Sequence, residues 1–344
     1  LGLMFASHND WADAIPHFEK TLRVEPSSAA ATYNLALAYR GAARAEDAIS
    51  LLSRAVEQRP NAELTNLLAS LEENAGRYLD AVRHFRAAVD LDPGNEQYYF
   101  DLGAEYLVHF TFDPALEVFA AGVRRFPTSS RQFVGLGMAY SALRQYPEAA
   151  EAFLRALETD PASPSALSAW NSLPSFLAPG DWERVLPRLR QLAEKQPANA
   201  DILFCFGSSL FRYSLSAGKP ENFGLAQSFL ERAIQLKPGY ADAHLELGAI
   251  HSAVKENTKA VAEFQETVRL NPGSEMGHYR LGQTYRDMRE LALAQQALSR
   301  YADLARGRRE RLARSRAAIK QFILAQSATL PGPARQKDLQ PKTR

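Results

Sequence analysis

The sequence predicts an all-α solenoid of stacked helix pairs, and three observations carry that prediction. The first is a proline period. Pro26, Pro60, Pro93, Pro127, Pro161, Pro197, Pro238 and Pro272 follow one another at gaps of 34, 33, 34, 34, 36, 41 and 34 residues. A fixed period near 34 marks a helical repeat whose units bury their faces on one another. The second is a pair of helical faces inside each period. In the unit Ser130 to Asp160, Phe133, Leu136, Gly137 and Tyr140 fall at i, i+3, i+4 and i+7. Ala149, Phe153 and Ala156 then fall at i, i+4 and i+7. The third is what lies between: the polar stretch Arg144-Gln145-Tyr146 and then Pro147. That reads as a tight turn followed by a proline in a first helical turn, where its N–H would have no intrahelical partner.

The same offsets recur down the chain. They are met by Leu35, Ala36, Tyr39, Ala48, Leu52 and Ala55, and again by Leu68, Ala69, Ala81, Phe85 and Ala88. Tyr99, Leu102, Gly103, Tyr106, Ala115, Phe119 and Gly122 form a further unit. Phe206, Gly207, Leu210, Ala226, Leu230 and Ala233 fit with about seven extra residues between the helices. His244, Leu247, Gly248, His251, Ala260 and Phe264 follow, then His278, Leu281, Gly282, Tyr285, Ala294 and Leu298, which lack the closing proline. Aromatic, Leu-Gly, Tyr, Ala, Phe, Ala, Pro at these offsets resembles the tetratricopeptide repeat pattern, in phase over most of residues 29 to 305.

The resemblance implies a right-handed superhelical solenoid of about eight helix-turn-helix repeats. A partial repeat occupies 1–28, four repeats occupy 29–163, a degenerate one 164–199 and three more 200–305. The degenerate unit keeps Pro197 and a second helix around Trp182, Val185 and Leu189, but its first helix is interrupted at Pro174. The stretch from Pro174 to Asp181 reads as a loop ending in an Asp181 N-cap. A changed stacking angle is expected there rather than a domain boundary, because the period resumes on both sides.

A hydrophobic content of 46% is ample for such a core. The longest apolar run, Ile202 to Phe211, is broken by Gly and Ser and falls short of the roughly 18 residues of a membrane span. Leu1, Gly2 and Phe5 match the end of a first helix, so the chain is expected to be a fragment or a processed product. The compartment therefore stays open between cytoplasm, slightly favoured, and periplasm. The single cysteine, Cys205, excludes an intrachain disulfide and a zinc site built on paired cysteines. Charge is unevenly placed. Residues 306–344 carry 11 Lys+Arg against 2 Asp+Glu, a net +9, and the other 305 residues hold 29 against 37, a net −8.

In tetratricopeptide proteins the first helix of each repeat lines a concave groove that holds peptides or partner helices. The resemblance puts Tyr33, Asn34, Asn66, Phe100, Asp101, Val134, Met138, Phe204, Ser208, Leu245, Tyr279, Arg280 and Gln283 on that groove. Some of these positions also serve packing onto the next repeat. Where some family members carry a Lys/Asn/Arg clamp for a C-terminal carboxylate, this chain has Tyr33, Leu37, Asn66, Gln97 and Asp101, which argues against chaperone C-termini as ligands. His244, His251 and His278 occupy Trp and Tyr slots of the pattern and read as packing aromatics, so no metal site is expected. Cys205 reads as a small packed hydrophobe. Phosphate-loop, zinc-protease and nucleophile-elbow motifs are absent from the sequence, and neither a catalytic residue nor a cofactor is expected.

Residues 303–325 read as a separate element, with the basic capping helix over 306–325. Leu304, Leu312, Ile319, Phe322 and Ile323 recur at helical spacing among Arg306, Arg308, Arg309, Arg311, Arg314, Arg316 and Lys320. Such a helix covers the apolar face of a last repeat. It also draws anionic partners, but Phe322 is alone among the arginines, which argues against single-stranded nucleic acid. Residues 326–344 are rich in Pro, Gln and basic residues and are expected to be disordered. The first reading is a non-catalytic scaffold that binds a protein or peptide. The alternatives are a substrate-recruiting arm of a larger enzyme, such as a glycosyltransferase, and an anionic partner on the basic helix.

Overall fold

The computed structural model describes residues 1–173 and 177–318. Among them the chain forms 18 α-helices and one short 3₁₀ turn, Pro220–Asn222. The helices run in pairs. α1 (Gly2–Ser7) pairs with α2 (Trp11–Val24), α3 (Ala29–Gly41) with α4 (Ala45–Gln58), and α5 (Ala62–Asn74) with α6 (Tyr78–Leu91). α7 (Glu96–Val108) pairs with α8 (Phe112–Arg125), α9 (Ser130–Ala142) with α10 (Tyr146–Thr159), and α11 (Pro164–Asn171) with α12 (Pro179–Lys195). α13 (Ala200–Ala217) pairs with α14 (Phe223–Leu236), α15 (Ala241–Ala253) with α16 (Asn257–Leu270), and α17 (Glu275–Asp287) with α18 (Leu291–Ala318). The substantial contacts stay within a pair or reach the neighbouring pair, which is the geometry of a solenoid.

What closes a pair is a small residue on the first helix facing a large one on the second. A Cβ added to Gly137 would stand 2.3 Å from the Phe153 ring, and one added to Gly103 would stand 2.6 Å from Phe119. Phe85, Phe119, Phe153 and Phe264 are all buried, as are Ala81, Ala115, Ala149 and Ala260 one turn before them. The helices therefore meet backbone to ring, and the apolar area removed from water is continuous from pair to pair.

The turn inside a pair is also repeated. Asn9, Ala43, Gly76, Phe110, Arg144, Lys255 and Arg289 all have φ between +57° and +74°. The amide after each of the last six returns to a carbonyl five residues back: Arg44 to Tyr39 at 2.8 Å, Gln145 to Tyr140 at 2.9 Å, Glu256 to His251 at 2.8 Å. This left-handed closure satisfies carbonyls that a helix end leaves open. Between pairs, the proline turn delivers a polar N-cap. The side chains of Ser28, Asn61, Asn95, Ser129, Ser163, Asn199 and Ser274 accept from amides two or three residues ahead. At three pairs the tyrosine slot ties the pair to the one before. Tyr39 donates to Glu19 Oε1 at 2.9 Å, Tyr106 accepts from Arg86 at 2.9 Å, and Tyr285 accepts from Gln265 at 2.9 Å.

Three places differ from the sequence expectation. In the degenerate unit α12 begins at Pro179 with Ala178 as its N-cap, so Asp181 lies inside the first turn instead of capping it. A carboxylate there still meets the positive end of the helix. α11 has only 8 residues and meets α12 chiefly through Trp170, edge-on to Trp182 at 6.3 Å between ring centroids. Val185 and Leu189, both buried, stand where other pairs have alanine and phenylalanine. The bulk at Val185 takes away the small-residue contact. In the next unit the extra residues lengthen α13 to 18 residues and add the 3₁₀ turn, with Gly218 at φ +65° ending the helix.

The third difference is at the end of the solenoid. The expected separate helix after residue 305 is continuous with the second helix of the last pair, because α18 runs unbroken from Leu291 to Ala318. The proline that ends the other second helices is missing here, and nothing stops the helix. Leu304 is half-buried and Leu312 is 46% exposed. Ile319, Lys320, Phe322, Ile323 and residues 326–344 lie outside the described residues.

Two substitutions test these local causes. Gly137→Ala drives a methyl into the Phe153 ring and is expected to cost about 1–3 kcal/mol, read as a lower urea midpoint at unchanged slope. Ala43→Gly is expected to raise stability by about 0.5–1 kcal/mol. It relieves roughly 1–2 kcal/mol of left-handed strain and returns part of that as unfolded-state entropy.

Candidate functional site

First helices touch the first helix of the next pair at most junctions: α3 with α5, α7 with α9, α9 with α11, α11 with α13, α13 with α15 and α15 with α17. Among the second helices of the described residues, α10 and α12 alone make a comparable contact. The stack is therefore tighter on its first-helix side, and that side forms the inner, concave wall.

On this wall a polar ladder crosses three consecutive first helices. Asn66 of α5 donates to Asp101 Oδ2 at 2.9 Å, and Gln97 of α7 donates to Asp101 Oδ1 at 2.6 Å. Arg131 of α9 donates to Gln97 Oε1. The same guanidinium lies 3.7 Å from the centroid of the Phe100 ring, and that ring rests on Phe119 at 5.9 Å. A cation over an aromatic face gains from the ring quadrupole. Burial pushes the Asp101 carboxyl above its usual range, and the bonds from Asn66 and Gln97 and the charge of Arg131 pull it back. Asn66 Oδ1 is buried without a hydrogen-bond partner.

The residues expected on the groove divide into two sets. Tyr33, Asn34, Asn66, Phe100, Asp101, Leu245, Tyr279 and Gln283 are half-buried on first helices, and Met138 (48%) and Arg280 are exposed. Tyr279 packs on Tyr301 of α18 at 5.2 Å. Val134, Phe204 and Ser208 are 5%, 3% and 2% exposed and present no surface. Phe204 is covered by Tyr240 at 4.8 Å, and Ser208 donates to Cys205 O at 3.3 Å. Around the degenerate unit the first helices draw inward and cover what the pattern leaves open. Arg131 escaped the sequence reading. Its signal is its spacing, 34 residues after Gln97 at the same repeat position.

The histidines of the pattern are each hydrogen-bonded in place. His244 Nδ1 lies 2.6 Å from Glu263 and His251 Nδ1 2.7 Å from Glu256, while His278 Nε2 lies 3.2 Å from the Pro272 carbonyl. Cys205 is buried, with its thiol 3.5 Å from Asn171 Oδ1, and burial pushes its pKa up, away from thiolate character. Among the described residues, no group of three His, Cys, Asp or Glu is placed to hold a metal ion. None of their helices is long and apolar enough to cross a membrane.

Behind the ladder lie two buried acid–histidine pairs that the pattern does not announce. Glu72 fills a tyrosine slot and meets His84 Nδ1 at 2.6 Å. Glu105 Oε1 lies 3.3 Å from His109 Nε2, and the His109 ring packs on Tyr78 at 4.2 Å. Burial, with the nearby Glu73 charge, pushes Glu105 up to about 8.

A helix-pair solenoid with a polar and aromatic inner wall defines a class of interaction modules. Tetratricopeptide repeat models match residues 5–71, 66–130, 100–164, 134–173 and 215–275, together more than half of the chain. The chain belongs to the tetratricopeptide repeat family. The unmatched stretch inside the array, 174–214, holds most of the degenerate unit's second half and most of the long α13, and residues after 275 are also unmatched. The structure is similar to the C-terminal part of a TPR repeat-containing protein from Cytophaga hutchinsonii. That match has 17% identity and a TM-score of 0.55, covering 81% of this chain and 98% of that one. It is also similar to YrrB, a TPR protein with an unusual peptide-binding site, at 18% identity and a TM-score of 0.39, covering 66% and 95%. A MamA structure matches at 20% identity and 0.40, covering 47% and 96%. No curated protein sequence matches the chain significantly.

Glu105 supplies a pH test. Its folded pKa stands above the unfolded value near 4.5, so between about pH 4.5 and 8 the folded state holds a proton that the unfolded state has released. Stability should fall as pH rises through that window, by at most about 1.4 kcal/mol per pH unit. Glu105→Gln cannot ionise. Its denaturation midpoint should gain on the parent's as pH goes from 5 to 9, and parallel profiles would show that Glu105 does not titrate there.

Proposed function

We propose that this chain is a non-catalytic scaffold whose concave wall holds an extended peptide or a helix of a partner protein. The observation that carries this reading is the ladder Asn66–Asp101–Gln97–Arg131 with Phe100 stacked beneath it. An aromatic ring already braced on Phe119 gives contact area without further loss of side-chain freedom. Side-chain amides beside a braced ring suit a partner that offers backbone donors and acceptors. Membership of the repeat family supports a protein-interaction role, and the partner is read from the chemistry of the wall.

The test is capture from native lysate with three baits: the parent chain, Asn66→Ala with Phe100→Ala, and the outer-face control Glu57→Ala with Glu117→Ala. Loss of the same partners on the wall variant, with the control unchanged, is expected. Equal capture on all three would move the binding surface off the concave wall.

A further inference from the structure

The uneven charge has a structural address at both ends. On the negative side, α5 and α7 together carry Glu63, Glu72, Glu73, Glu96, Asp101 and Glu105 and no Lys or Arg. Glu72 and Glu105 are buried against histidines, and Glu96 accepts from Ser129 at 2.5 Å. Glu63 is exposed and Glu73 and Asp101 are half-buried, and none of the three is ion-paired among the described residues. Phe100, with the Arg131 guanidinium over one face of its ring, and the exposed Met138 add apolar area to the same wall, where the carboxylates outnumber that one arginine.

On the positive side stands the end of α18. Arg308 Nε is bound to Glu275, the first residue of α17, at 2.9 and 3.0 Å. Residues 309–312 therefore continue past the start of α17, and α18 runs on to Ala318, about 15 Å from residue 309 at 1.5 Å per residue. Arg309, Arg311 and Leu312 are exposed on it. Among the described residues the helix packs on α17, six pairs along the solenoid from α5 of its own chain. A leucine flanked by arginines matches an apolar area flanked by carboxylates.

We propose that the basic end of α18 in one copy docks on the acidic α5–α7 wall of a second copy. The assignment deepens the concave-wall reading and rests on it, naming a second copy of this chain as one occupant. The two surfaces are different patches set several pairs apart, so the contact is heterologous and propagates head to tail rather than closing as a symmetric dimer. Charge carries it, so association weakens with salt.

The experiment is sedimentation velocity over a concentration series at about 0.1 M and about 1 M salt, between which the screening length falls from about 10 to about 3 Å. The parent should associate at low salt and return to monomer at high salt. Arg309→Glu with Arg311→Glu should be monomeric at both, as should Glu63→Arg with Glu73→Arg. Mixing the two variants should restore association, since each then offers the other a complementary surface, and this rescue also shows that both are folded. A parent that is monomeric at both salts overturns the assignment, as does a mixture that stays monomeric. A chain that stays monomeric yet loses an anionic vesicle or DNA duplex on Arg309→Glu with Arg311→Glu assigns the arginines elsewhere and also overturns it. The two readings fail separately. A monomeric parent whose lysate partners vanish with Asn66→Ala and Phe100→Ala leaves the concave-wall reading standing. Rescued self-association with unchanged lysate capture leaves self-docking standing and removes the outside partner.

Discussion

The contact between a small residue on one helix and a large side chain on the next is the constraint on which this solenoid depends. Gly103 and Gly137 leave no room for a Cβ beside Phe119 and Phe153, so the helices of those pairs stand as close as backbone allows. Close pairs have a fixed crossing, and a fixed crossing repeated at nearly constant sequence spacing builds a regular stack. The degenerate unit shows the converse. With Val185 and Leu189 on α12, the partner helix is cut to eight residues, and two tryptophans fill the space.

The concave wall follows from the same geometry. First helices stacked along one wall bring one-repeat positions within side-chain hydrogen-bond reach, and a ladder such as Asn66–Asp101–Gln97–Arg131 becomes available without any residue leaving its helix. The wall is not uniform. Its α5–α9 portion is polar, aromatic and acidic, whereas around α13 the equivalent positions Phe204 and Ser208 are closed off by packing. Buried acid–histidine pairs lie directly behind the acidic portion and tie its local charge balance to the core of the same repeats.

Much of the architecture was legible in the chain itself. Proline spacing set the repeat, Leu-Gly and Phe offsets set the facing surfaces, and the seven-residue surplus before Ala226 announced a longer unit. These features are local and periodic, and each repeat makes contacts mainly with its neighbours, so sequence distance maps onto space. What was illegible depends on terms that no period carries. The start of α12 at Pro179 reflects a proline's preference for the first turn over the capping strength of Asp181. The continuity of α18 reflects the absence of a stop signal, which the basic composition obscured.

By itself, then, the amino-acid order determined an all-helical stack of tetratricopeptide units, the identity of its facing residues and the opposite charges of body and tail. Only the tertiary structure decided which first-helix side chains reach the surface. It buried Val134, Phe204 and Ser208, joined Arg131 to Phe100 and Gln97, and carried Arg309 and Arg311 past the start of α17. The physical reason is that exposure on a curved wall depends on how far each neighbouring helix leans in. That lean is set by the volume of side chains a whole repeat away.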